Sequence, residues 1–202
     1  MGKEVEIKLE VGDLQLLDCI LSDPEITGRM SAPFDHIRME TTYFDTEDGF
    51  LAARRWMLRL RTENGRAVVT CKTPGEGRTR GEWECESEYL EDALPQLAAL
   101  GAPAELCGID AARYMPLCGA RFTRITQELR LSAEHACMIC GDIGELFAGE
   151  KKAPLCELEL ELKHGAAEAL EEYADLLKTR FGLCEQPRSK LERARALVQA
   201  SV

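Results

Sequence analysis

Glu4-Val5-Glu6-Ile7-Lys8-Leu9-Glu10-Val11 alternates charged and aliphatic residues without a break. Successive side chains of an extended chain point to opposite faces, so a strand here puts its charges on one side and its apolar groups on the other. The same period returns in Leu58-Arg59-Leu60-Arg61, in Glu82-Trp83-Glu84-Cys85-Glu86, in Arg124-Ile125-Thr126-Gln127-Glu128-Leu129-Arg130-Leu131 and in Glu157-Leu158-Glu159-Leu160-Glu161-Leu162-Lys163. Strands with one apolar and one polar face belong to antiparallel sheets, so an antiparallel sheet is the expected centre of the fold. Asn64-Gly65 between the Arg59/Arg61 segment and residues 67–73 predicts a two-residue hairpin.

Around these strands, helical periodicity predicts helices over 13–21, 90–100, 166–181 and 189–199. Ser189 and Glu192 have the capping-box spacing behind Pro187, and Gly101 and Gly182 are natural helix stops. Residues 101–119, rich in Gly, Pro and Ala, are expected to form a loop with a short helix at 110–114, a candidate lid or insertion. No repeat or linker divides the chain, and one domain over 1–202 is expected.

The chain has 202 residues, 45% of them hydrophobic and 30% charged, which excludes disordered and membrane-embedded classes. Its 25 Lys and Arg stand against 36 Asp and Glu, and a net charge of -11 argues against nucleic acid or an anionic membrane surface as partner. No apolar run reaches bilayer length, and the start lacks the apolar stretch of a signal peptide. Gly2 is followed by Glu6 where a myristoylation signal needs Ser or Thr. Nine scattered cysteines without an export signal are expected to be reduced thiols in a cytoplasmic protein.

A solvated sheet face accounts for any one charged strand. Together the strands say more, because Glu157, Glu159 and Glu161 share one face while Arg59 and Arg61 share another. Like charges two residues apart lie about 7 Å from each other and repel, so this segregation costs stability unless something between the strands compensates. Clustered carboxylates suit a hard divalent cation, and guanidinium and ammonium groups suit phosphate oxygens. A sheet closed into a barrel with its charged face inward would place both sets around one anion and its metals.

Glu4-Val5-Glu6-Ile7-Lys8 matches the Glu-x-Glu-x-Lys signature of the CYTH superfamily, the triphosphate tunnel metalloenzymes. In the same order follow Thr42-Tyr43-Phe44-Asp45-Thr46, Leu58-Arg59-Leu60-Arg61, Thr70-Cys71-Lys72, Arg80-Gly81-Glu82-Trp83-Glu84, Arg124, Asp142-Ile143-Gly144, Cys156-Glu157-Leu158-Glu159-Leu160-Glu161-Leu162 and Ser189-Lys190. The chain most resembles the bacterial inorganic-triphosphatase branch. That resemblance implies an α+β fold, an eight-stranded antiparallel β-barrel forming a triphosphate tunnel with flanking helices. It also implies hydrolysis of a small-molecule triphosphate, first of all inorganic tripolyphosphate, with Mg2+ or Mn2+ as cofactor. By position, Glu4, Glu6, Asp142, Glu157 and Glu159 resemble the metal-holding acids, and Lys8, Arg59, Arg61, Lys72, Arg124 and Lys190 the phosphate-gripping bases. Lys8 and Glu159 are the candidate catalytic groups, and the general base stays open between a carboxylate and Lys8. Glu84 and Glu161 stay open between tunnel residues and solvated strand residues, since the register of 80–86 is not fixed. Asp45 is expected to stabilise a turn. The alternatives are a class IV type adenylate cyclase, a thiamine triphosphatase and a noncatalytic polyphosphate-binding module; no protein partner is identified.

The remaining motifs carry less. Cys137-Met138-Ile139-Cys140 has redox or zinc spacing but lacks a second ligand pair, and on a strand its thiols face opposite ways. His36, His135 and His164 form no catalytic cluster. The glycines of residues 74–81 match neither a Walker A nor a Rossmann motif, leaving a hairpin loop whose Arg78 and Arg80 are expected at the tunnel mouth.

Overall fold

Every alternating segment is a strand in the computed structural model, which describes residues 2–75 and 79–199. The chain runs β1 (Gly2–Glu10), α1 (Leu14–Leu21), α2 (Pro24–Thr27), β2 (Asp35–Thr46), α3 (Phe50–Arg54), β3 (Met57–Glu63), β4 (Arg66–Pro74), β5 (Thr79–Glu86), α4 (Leu90–Ala99) and α5 (Ala104–Cys107). A 3-10 turn (Ala111–Arg113) leads into β6 (Tyr114–Arg130), β7 (Ala136–Ala148), β8 (Lys151–His164), α6 (Ala167–Phe181), the two-residue β9 (Cys184–Glu185) and α7 (Lys190–Gln199). All strand pairings are antiparallel, in the order β5-β4-β3-β2-β6-β7-β8-β1-β9. The two ends of this order meet, because β1 also pairs with β5, Gly2 opposite Glu82 through Val5 opposite Thr79. The expected eight strands therefore curl into a ring, and β9 adds a short flap on β1.

Turn chemistry sets the registers. Asn64 and Gly65 both take positive φ, 50° and 92°, the mirror-image turn whose twist suits a two-residue hairpin, and Glu63 faces Arg66 across it. Gly144 on β7 faces Phe122, where a Cβ would collide with the Arg121 carbonyl and the Phe122 Cα, so only glycine lets β6 and β7 approach here.

The apolar faces point out of the ring and are covered by helices. Ile7 and Leu9 of β1, Ile139 of β7 and Leu158 and Leu160 of β8 pack under Leu17 and Ile20 of α1 and Leu170 and Leu177 of α6. Each such fully buried Leu or Ile contributes roughly 2 kcal/mol. On the opposite side Leu58, Val69, Cys71 and Trp83 lie under Leu51 of α3, Leu94 and Leu97 of α4 and Leu106 of α5. Residues 101–119 thus form no lid: Ala102 and Leu106 are core residues on the outer wall, and β6 already begins at Tyr114.

One helix departs from the flanking arrangement. Leu191, Ala194 and Leu197 of α7 pack on Met39, Tyr43, Phe122, Leu146 and Leu155, which share strand parity with the inward residues Thr41, Arg124, Asp142 and Glu157. Helix α7 therefore closes one end of the bore from inside. Its start carries the expected capping box: the Ser189 amide donates to Glu192 at 2.7 Å and the Glu192 amide donates to Ser189 Oγ at 3.2 Å. Ser189→Ala is expected to cost about 1 kcal/mol of stability, read as a lower denaturation midpoint.

Candidate active site

The inward residues line a cavity of about 490 Å³ inside the ring, and Glu6, Lys8, Arg59, Arg61, Lys72, Arg124, Glu159 and Lys190 all open onto it. The structure thus brings nearly the whole set expected from the sequence into one place. The side chain of Glu4 and residue Arg78 lie outside the described residues, whereas Arg80 lines the cavity. Asp142 and Glu157 do not reach the cavity surface; both are 0% exposed and sit beneath Lys190.

Strand register gathers the carboxylates. Asp142 on β7 faces Glu157 on β8, two residues from Glu159. Oxygens of Asp142, Glu157 and Glu159 lie within 4.8 Å of one another, so these three residues could hold a metal ion, and an all-oxygen donor set fits a hard divalent cation. Glu6 stands apart on β1, opposite Glu161, with its carboxylate bonded to Lys8 Nζ at 2.7 Å.

The sign segregation of the sequence does not survive closure of the ring. Lys190 Nζ donates to Glu157 and, at 2.9 Å, to Glu159, and it lies 2.7 Å from Asp142 Oδ2. Arg124 grips Asp142 with two bonds of 2.8 and 2.7 Å and Glu159 with one of 2.5 Å, while Arg193 donates to Glu157. The repulsion expected from clustered carboxylates is therefore offset inside the protein. Burial opposes ionisation of Glu159, yet Lys190, Arg124 and Lys8 overcome it and hold its carboxyl well below the usual range. At Glu157 burial wins over Lys190 and, with the charge of Glu159, pushes the carboxyl up. Burial likewise disfavours the Lys190 ammonium, but Asp142, Glu159 and Glu157 more than compensate, and its pKa rises.

The facing wall is arranged differently. Arg59 and Arg61 on β3 are only 13% and 14% exposed, and their buried Nε atoms have no hydrogen-bond partner among the described residues. Among the described residues Arg59 has only a loose ion-pair contact, 3.9 Å, with Glu82, and Arg61 pairs with Glu63 on its own strand. Burial and then the charge of Arg59 pull the Arg61 pKa below its ordinary value. Among the described residues, those two Nε donors have no acceptor. Lys72, opposite Glu82 on β5, completes the wall at 3.2 Å from that carboxylate.

Some residues of the site escaped the sequence. Glu82 is the acid that meets Lys72 and Arg59, and the signal for it was present in Arg80-Gly81-Glu82-Trp83-Glu84, whose register only the pairing with β4 fixes. Arg193 follows Lys190 at helical spacing, which marks it as a residue of the same helix face. Glu84 and Glu161 both line the cavity; Glu84 is exposed, and Glu161 is partly exposed with Lys163 at 3.7 Å. Asp45 holds a turn as expected, accepting from the amides of Thr46, Leu51 and Ala52 at 2.9, 2.8 and 3.1 Å and so anchoring the start of α3. Cys137 faces the outer core and Cys140 the cavity, all nine cysteines are free, and none of the three histidines lines the cavity.

An antiparallel ring with its charges inside and its apolar surface outside defines a tunnel protein. A model of the CYTH domain matches residues 2–194, and the chain belongs to that family. The inorganic triphosphatase of Haemophilus influenzae is 25% identical over 180 residues, covering 88% of this chain and 50% of that protein. The chain thus spans about half the length of that curated relative. Among solved structures, the Hippeastrum protein HpAC1, described as an adenylyl cyclase with a dominant triphosphatase activity, superposes with a TM-score of 0.64 at 19% identity, covering 97% of this chain and 96% of its own. A Bacillus halodurans protein assigned as an adenylate cyclase gives 0.58 at 20% identity, covering 96% and 98%. Both likenesses concern the fold. No helix among the described residues is long and apolar enough to cross a membrane.

Proposed function

We propose that the protein is a metal-dependent triphosphatase that removes the terminal phosphate of a small triphosphate, with inorganic tripolyphosphate as the first substrate and Mg2+ or Mn2+ as the cofactor. The observation that carries this reading is the pair of buried Arg59 and Arg61 Nε atoms, without a hydrogen-bond partner among the described residues, on a cavity that Glu159 also lines. Buried guanidinium N–H groups without acceptors are costly, and an anion entering the cavity would satisfy them. The triphosphatase named in Haemophilus influenzae supports the reaction class.

In this reading Lys8, Arg59, Arg61, Lys72, Arg124 and Lys190 bind and align the phosphates. Arg59 and Arg61 can each offer two parallel N–H groups to phosphate oxygens, fixing orientation as well as charge. Glu4, Glu6, Asp142, Glu157 and Glu159 would hold the cation, which supplies charge neutralisation and an activated water. Helix α7 blocks one end of the bore, which together with the basic side chains would hold the terminal phosphorus in a fixed line. Glu159 is ionised and borders the cavity, which lets it orient a water; Lys8, bonded to Glu6, holds a proton beside it. The free thiols fit a reducing, cytoplasmic setting.

Phosphate release from tripolyphosphate, measured with Mg2+ and then Mn2+, tests the proposal. Protein inert towards tripolyphosphate, thiamine triphosphate and nucleoside triphosphates would overturn it. Cyclic AMP with pyrophosphate from ATP would instead make it a cyclase.

A further inference from the structure

We infer that Lys190 is a displaceable counter-ion: it keeps the carboxylates of Asp142, Glu157 and Glu159 closed to a divalent cation until an anion enters the tunnel, so that cation and anion bind cooperatively. The inference rests on the proposed function in taking these carboxylates as the cation's ligands.

The geometry carries it. An ammonium has three protons, and Lys190 Nζ contacts one oxygen from each of the three acids. It therefore sits where a metal ion would bind, and the two cannot share those oxygens. The three acids are matched in number by Lys190, Arg124 and Arg193, so the cluster is formally neutral and offers an incoming cation no net attraction. Asp142 and Glu157 are sealed from the cavity, whereas Lys190 lines it, so the ammonium also stands in the path.

The three cations are not equally fixed. Arg124 holds Asp142 through two parallel bonds, a geometry that resists rearrangement. Lys190 is a point charge on a flexible stem at the first turn of α7, and its head can swing without moving the helix. An anion seated on the Arg59 and Arg61 Nε donors meets groups that have no acceptor among the described residues, and it gives Lys190 a second partner within the same cavity. Each step of that swing frees carboxylate oxygens. Because linkage is reciprocal, a cation that takes those oxygens must in turn tighten the anion.

The test measures Mn2+ binding to the full chain by the electron paramagnetic resonance signal of free Mn2+. Sulfate serves as a nonhydrolysable anion, a chloride salt of equal ionic strength as control, and protein-free blanks correct for complexation. Sulfate is expected to tighten Mn2+ binding about tenfold in the wild type. Lys190→Gln is expected to bind Mn2+ about tenfold more tightly without sulfate and to gain almost nothing from adding it. Failure of either arm overturns the inference, and the wild-type arm depends on no variant folding. If Mn2+ binds but ignores sulfate and Lys190, only the coupling is wrong. If it binds nowhere and phosphate release is indifferent to metal, the proposed function falls as well.

Discussion

Glu159→Gln is expected to lower triphosphate turnover on the order of 100-fold while leaving substrate affinity largely intact. The amide keeps size and hydrogen-bonding capacity but removes the charge that Lys190 and Arg124 share with Asp142 and Glu157. The free protein should also lose about 1–3 kcal/mol, less than the roughly 3–5 of a fully broken buried pair, because the other acids still neutralise both cations. Relief of carboxylate repulsion, which the sequence alone would suggest, is outweighed by the lost pairs. The pH dependence fixes the sign. The Glu159 carboxyl lies well below its unfolded value, so its contribution is complete above the usual carboxylate range, roughly pH 4–5, and fades as the pH falls further. Denaturation of wild type and variant should therefore differ at neutral pH and converge in acid. Equal turnover and equal stability would show that Glu159 is an ordinary strand residue.

Arg59→Ala should behave in the opposite way. Loss of a charge-assisted, two-pronged phosphate contact is expected to raise the substrate dissociation constant about 10–100-fold. The free protein should be unchanged or slightly more stable, because the substitution removes a buried guanidinium whose only carboxylate contact among the described residues is Glu82 at 3.9 Å and whose Nε has no partner among them. Thermal melting without ligand and binding measured by calorimetry check both halves. A large loss of stability in the empty protein would mean that Arg59 is structural.

The barrel wall was legible because its residues obey a period of two that survives any tertiary arrangement. Ile7 and Lys8, or Leu158 and Glu159, declare their faces without knowledge of a partner. The Asn64-Gly65 turn and the Ser189/Glu192 box were legible for a similar reason, since each is a local geometry written in two or three residues. Contacts made by register were not. Glu82 and Glu84 share a face, and only the pairing of β4 with β5 puts Glu82 rather than Glu84 against Lys72. Cross-tunnel pairing of Lys190 with three acids needs α7 turned inward, and its apolar residues Leu191, Ala194 and Leu197 look the same in sequence as those of an outer helix. The short helices α2, α3 and α5 are too brief for periodicity to mark them.

The strand order also divides the molecule by assembly. β2 to β5 form one run of consecutive neighbours and β6 to β8 another, joined by the β2–β6 pairing and by β1, which bridges β8 and β5. Arg59, Arg61 and Lys72 belong to the first run, and Arg124, Asp142, Glu157 and Glu159 to the second. Each run can form from near neighbours along the chain, whereas the two seams join segments far apart in sequence and carry the larger loop-closure cost. A newly made chain therefore holds the surface of Arg59, Arg61 and Lys72 on one piece and that of the three carboxylates with Arg124 on another, and the two first face each other when the seams close. Ligands that need both surfaces stay in solution throughout folding and meet only the finished ring.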